Sequence, residues 1–203
     1  MKKELKYSEM DSAYYAMVIK SPYMESKNEN PLVNCTESYE DTVVYTLADK
    51  TKKGVKFLDF YRESFRLYIS DRISEKLRDF FGSPKEGEEQ KKTFVDLKPV
   101  YFKDDEGKLH KYFGFCMPRQ DFLDIKQTGK GYEVTNVVFR AMKMKKTPEA
   151  ERSIFELDFH KYGWRYCNDE VKNLIESLNA TGVKFEKSCD WDWAECAKLE
   201  TYD

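Results

Sequence analysis

Along the chain, apolar side chains alternate with polar ones or gather in β-branched and aromatic runs at residues 14–19, 42–47, 94–101, 111–117, 132–142 and 153–159. That pattern sets one face of a strand against a core, so each run is expected to be a strand. Two other segments follow helical spacing. In one, Ser70 precedes Ile73, Leu77, Phe80 and Phe81, which lie on one face, and Gly82 supplies a stop. In the other, Asn168 takes the capping place, Val171, Leu174, Ile175 and Leu178 form the stripe, and residues 179–182 close it. Residues 82–92 carry no large apolar side chain and read as a solvated loop. Residues 21–34, with Pro22, Pro31 and three asparagines, read as a long connection.

The two helical segments resemble each other. Residues 67–77 align with 165–175 without a gap, Ser70 falling on Asn168. Leu58-Asp59-Phe60 precedes the first and Leu157-Asp158-Phe159 the second, at the cost of one inserted residue. A strand-like run follows each, Phe94-Val95-Asp96-Leu97 and Gly182-Val183-Lys184-Phe185. Because Gly54-Val55-Lys56-Phe57 repeats the last of these out of register, chance likeness and internal duplication both stay open. The expected architecture is an α+β fold of mixed sheets with two strand-helix-strand units, in one domain over residues 1–203 with sub-units at 40–125 and 126–190.

Composition narrows the class of function. With 40% hydrophobic residues, 14 Phe, 14 Tyr and 3 Trp, the chain has ample apolar area to offset ordering entropy. Its 35 Lys plus Arg against 37 Asp plus Glu leave a net charge of −2, which removes the usual electrostatic driver for nucleic acid or an anionic membrane; neither is expected as a partner. Glu4, Glu9 and Asp11 interrupt any apolar run behind the basic start, so no export signal is expected, and no window reaches the length of a membrane-spanning helix. The five cysteines, Cys35, Cys116, Cys167, Cys189 and Cys196, lack paired spacing; reduced thiols in the cytoplasm and no metal site are the expectation.

The second unit carries a resemblance. Ile154-Phe155-Glu156-Leu157, then Asn168-Asp169-Glu170-Val171-Lys172-Asn173-Leu174-Ile175, then Thr181-Gly182-Val183-Lys184-Phe185-Glu186, is similar to the end of the eleventh family of predicted immunity proteins of bacterial polymorphic toxin systems, first catalogued as a domain of unknown function. Residues 69–77 fit the same pattern less fully, and the likeness spans about residues 40–190. It departs at Cys167-Asn168-Asp169, where a Ser cap is more usual, and in the charged loop after the first helix. The resemblance implies a non-enzymatic protein of the producing cell that binds and neutralises a cognate toxin. It implies a role and no particular site.

Candidate chemistry is sparse. A nucleophilic triad needs a base, and the only histidines are His110 and His160. His110 follows an apparent hairpin turn at residues 104–109 and His160 sits at an apparent strand end; both read as solvated, with no Ser or Cys beside them in sequence. Thr128-Gly129-Lys130-Gly131 lacks the length of a phosphate loop, and Arg140, Lys143, Lys145 and Lys146 read as a solvated strand end. No catalytic residue and no cofactor is assigned. An enzyme whose site assembles only in three dimensions, or a general protein-binding scaffold, are the rival readings.

The candidate partner-binding segment is Asp190, Trp191, Asp192, Trp193 and Glu195, where indoles alternate with carboxylates able to meet a basic surface. Packing of both indoles onto the core is the competing role. On the packing role, replacing Trp191 and Trp193 together by Ala unfolds the protein in a thermal melt. Retention of the melting temperature with loss of partner binding is the opposite outcome and assigns the segment to recognition.

Overall fold

The computed structural model describes residues 13–19, 34–39, 42–46, 57–63, 66–82, 94–104, 106–124, 138–157 and 164–187. They form helices and mixed sheets, an α+β fold, divided between two compact units. One takes the described residues of Ile19–Cys116 together with Ala180–Gly182. The other takes those of Met1–Val18, Met117–Asn179 and Val183–Asp203, so the first strand belongs with the C-terminal part of the chain.

The first of these is built on six strands, β2 (Asn34–Tyr39), β3 (Thr42–Thr46), β4 (Phe60–Glu63), β5 (Arg66–Ser70), β6 (Val95–Lys103) and β7 (Leu109–Phe115), in the order β2-β3-β6-β7-β5-β4. All neighbours are antiparallel except β3 and β6. Pro99 lies within β6, and the register against β7 shifts between Val95 and Pro99. Proline has no N–H for the ladder, and a bulge is one of the few places a paired strand tolerates it. Helix α1 (Asp71–Phe81) follows β5 directly and packs on β5, β6 and β7 through Ile73 and Leu77, both fully buried. Phe81 ends the helix stacked on Phe94 at 4.3 Å. The alternate face of the sheet gathers Tyr61, Tyr68, Phe102 and Tyr112, placed together because Tyr61 lies opposite Tyr68 in the β4–β5 pair.

The other unit is a five-stranded sheet of β1 (Tyr14–Ile19), β8 (Arg119–Gln120), β9 (Ile154–Leu157), β10 (Arg165–Asn168) and β11 (Val183–Lys187), ordered β11-β1-β10-β9-β8. Three helices accompany it, α2 (Ala141–Lys146), α3 (Glu149–Ser153) and α4 (Asp169–Ser177). Alternation along β9 and β10 sends Phe155, Leu157 and Tyr166 into one aromatic core with Tyr14, Phe122, Phe139 and Met144. Phe155 is its hub, with ring centroids 4.9 Å from Phe122 and 5.5 Å from Tyr14 in edge-to-face contacts. Glu156 and Arg165, directly opposite across the β9–β10 ladder, leave that core and pair with each other at 3.8 Å.

The strand order is shared. In one unit β4, β5, β7 and β6 are adjacent in that order with α1 linking β5 to β6; in the other, β9, β10, β1 and β11 are adjacent with α4 linking β10 to β11. The first three strands of each set pair antiparallel. The third strand has a different source in each, a following hairpin arm in β7 and the start of the chain in β1.

Residues 14–19, 42–47, 94–101, 111–117 and 153–159 hold strands close to their expected bounds, although Ser153 itself ends α3. The strand expected over 132–142 is corrected at its end. Phe139 makes only a single bridge to Leu123, and Ala141 begins α2. The Met-Lys-Met-Lys alternation there has period two, but Ala, Met and Lys are strong helix formers, and burying Met144 alone satisfies a helix. The remainder of that run, the 82–92 loop beyond Gly82 and the connection at 21–33 lie outside the described residues.

The two capped helices begin differently. Asn168 Oδ1 accepts from the Val171 N–H at 3.0 Å, whereas the Ser70 hydroxyl makes no cap bond. Asn168→Ala should therefore cost about 1 kcal/mol in denaturant melts. Phe155→Ala, which empties the hub of the aromatic core, should cost about 4 kcal/mol.

Candidate functional site

Residues 57–60, before and at the start of β4, meet side chains of β4, β5, β7 and α1 together with Thr181. The Phe57 ring lies parallel to the His110 imidazole with centroids 3.6 Å apart. Leu58 is held at both ends of its backbone by phenols: its N–H donates to Tyr61 Oη at 3.0 Å, and its carbonyl accepts from the Tyr112 hydroxyl at 2.7 Å. Asp59, 8% exposed, collects four donors: Ser70 Oγ and Arg72 Nη2, both at 2.7 Å, and the Thr181 N–H and hydroxyl at 2.9 and 3.0 Å. Its own N–H donates to Thr181 Oγ1, and Phe60 N–H donates to the Thr181 carbonyl, both at 3.0 Å.

The electrostatics follow from this geometry. Burial works against charge on Asp59, yet the bonds from Ser70, the Thr181 backbone, Arg72 and the Thr181 hydroxyl together outweigh it and hold the carboxyl below its ordinary range. Burial raises the phenols of Tyr61 and Tyr112 and keeps them neutral hydrogen-bonding groups. Gly182 follows Thr181 with φ of 83°, a left-handed conformation, and a Cβ there would collide with the Phe60 carbonyl. Glycine is needed for Thr181 to reach Asp59.

His110 was expected to be solvated. It lies instead in β7, half-buried between Phe57 and Asp104, with Nε2 2.8 Å from Asp104 Oδ2. Asp104 also accepts the Glu106 and Lys108 N–H groups at 3.0 and 2.8 Å, closing the β6–β7 hairpin whose Gly107 has φ of 83°. The His110 bond leads the causes that lower the Asp104 carboxyl. A His–Asp pair is two members of a relay, but among the described residues no hydroxyl or thiol is hydrogen-bonded to His110.

The described thiols are poor nucleophiles. Cys116 is pushed up to about 11, first by desolvation of its sulfur and then by the Asp96 carboxylate 3.6 Å away. Burial raises Cys167 further. No cluster of three His, Cys, Asp or Glu side chains that could hold a metal occurs among the described residues, and no described helix is long and apolar enough to cross a membrane.

Asp190, Trp191, Asp192, Trp193 and Glu195, with His160, lie outside the described residues. Arg140, Lys143, Lys145 and Lys146, expected at a strand end, are brought together on and beside α2. The role of Asp59 was missed. Leu58-Asp59-Phe60 stood out only as a repeat of Leu157-Asp158-Phe159, and Thr181 is 122 residues away.

Asp59→Ala should destabilise the six-stranded unit by about 3 kcal/mol, because it removes the one carboxylate that accepts from Ser70, Arg72 and Thr181. The same knot predicts an acid response. Since the folded carboxyl titrates below the unfolded one, its contribution is complete above the ordinary aspartate value and is lost as pH falls through the folded value. Melts between about pH 6 and pH 2 should show that loss, and Asp59→Asn should flatten it.

No protein-family model matches the chain, and a search of curated proteins finds no match.

Proposed function

We propose that this chain is a non-enzymatic immunity protein of the cytoplasm that binds a cognate toxin domain and neutralises it. The observation that carries the reading is the commitment of the described reactive groups to the fold. Asp59 spends its carboxylate on four donors, His110 is taken up by Asp104 and Phe57, and the thiols of Cys116 and Cys167 are shifted away from thiolate. Groups used in this way fix a rigid surface, and a rigid surface loses little entropy when it meets a partner.

The resemblance of residues 154–157, 168–175 and 181–186 to the immunity family supplies the kind of partner. The common strand order of the two units supports reading them as copies of one plan, the duplication suggested by the repeat at Ser70 and Asn168. The acidic segment from Asp190 to Glu195, with its two tryptophans, is a proposed contact.

Co-expression with the product of the gene next to its own should protect a host that this product harms, and the two proteins should co-purify as a complex. Turnover of a small molecule by the purified chain, abolished by one side-chain replacement, would overturn the proposal.

A further inference from the structure

Helix α2 shows its two methionines to opposite environments. Met144 is fully buried in the aromatic core of the five-stranded unit, while Met142 is 70% exposed, more than Leu109 at 47%. A single exposed apolar side chain is ordinary on a protein surface. Around Met142, however, Arg140, Lys143, Lys145 and Lys146 carry four positive charges with no acid between residues 138 and 148. Asp121 neutralises part of this, meeting Lys143 at 2.8 Å and Arg140 at 3.4 Å. No carboxylate among the described residues pairs with Lys145 or Lys146, both exposed.

The patch is also held in place. Arg140 N–H donates to the Phe122 carbonyl, Asp124 N–H donates to the Val138 carbonyl at 2.8 Å, and Thr147 N–H donates to the Met144 carbonyl at 3.1 Å. With Met144 locked in the core below, α2 presents its outer side chains from a fixed backbone, which lowers the entropy lost on docking.

We propose that the outer face of α2, formed by Arg140, Met142, Lys143, Lys145 and Lys146, docks an acidic protein surface, with the Met142 thioether entering an apolar recess ringed by carboxylates. Resting on the immunity reading above, the toxin domain supplies that surface. Methionine is enriched where proteins meet and its flexible thioether adapts to irregular recesses, whereas lysines, depleted from interface cores, suit a polar rim that steers association. A polyanion fits less well. Nucleic acid and anionic lipid extend their charge past the patch, where Asp121, Glu149 and Glu151 and a net charge of −2 oppose them.

The test uses the full chain and the product of the gene next to its own, with binding followed by calorimetry and by association rate at two salt concentrations. K145E/K146E should fold with an unchanged circular dichroism spectrum, weaken the complex about tenfold through a slower association, and lose most of the salt dependence. Met142→Ser should weaken it mainly through faster dissociation. Lys76→Glu, on the exposed side of α1, should change neither.

If the unaltered chain binds and both α2 variants bind equally well, the docking assignment falls while the immunity reading stands. If the unaltered chain neither binds nor rescues, both fall. Tighter binding of a DNA duplex, or of phosphatidylglycerol vesicles, than of the toxin, lost in K145E/K146E, overturns the protein partner in favour of a polyanion.

Discussion

A single buried carboxylate organises the six-stranded unit. Asp59 stands where the chain enters β4, and its oxygens gather donors from the end of β5, from the first turn of α1 and from Thr181, a residue that reaches this unit from far along the chain. An acid so little exposed would be costly if unpartnered, since desolvation alone disfavours its charge by several kcal/mol. Four donors reverse the balance. The backbone adds to this, with Ser70 N–H donating to the Asp59 carbonyl at 2.9 Å, so that the hairpin and the helix start are fixed by the same residue.

That arrangement explains why two matching positions do different work. Ser70 and Asn168 both end a strand and open a helix, and both have extended backbone. Asn168 turns its side chain inward to the helix and satisfies an orphan N–H, as an N-cap should. Ser70 turns its hydroxyl to Asp59 instead, and α1 is anchored by Arg72 on the same carboxylate and by burial of Ile73 and Leu77. The helices share a place in the strand order and reach it through different local bonds.

The same economy bears on function. Tyrosine hydroxyls grip Leu58, an imidazole stacks on Phe57, and a second carboxylate closes the hairpin through Asp104. These are groups that other proteins use for proton transfer, and here their hydrogen bonds hold backbone. Lys145 and Lys146 are of another kind, exposed on α2 and without a carboxylate partner among the described residues.

Local pattern was enough to locate α1 and α4 with their stops, and strands such as β1 and β3, because periodicity and capping act between residues a few positions apart. It also brought out the likeness between residues 67–77 and 165–175, each of which ends a strand and opens a helix. It failed for α2, where Met and Lys alternate with a strand's period but bury a single Met144 in a helical turn. Other features had no local signal at all: the pairing of β1 with β10, the reach of Thr181 to Asp59 and the stacking of His110 on Phe57. Each is a contact between residues distant in sequence, and its free energy exists only after the chain has closed the loop between them, so tertiary structure alone decided it.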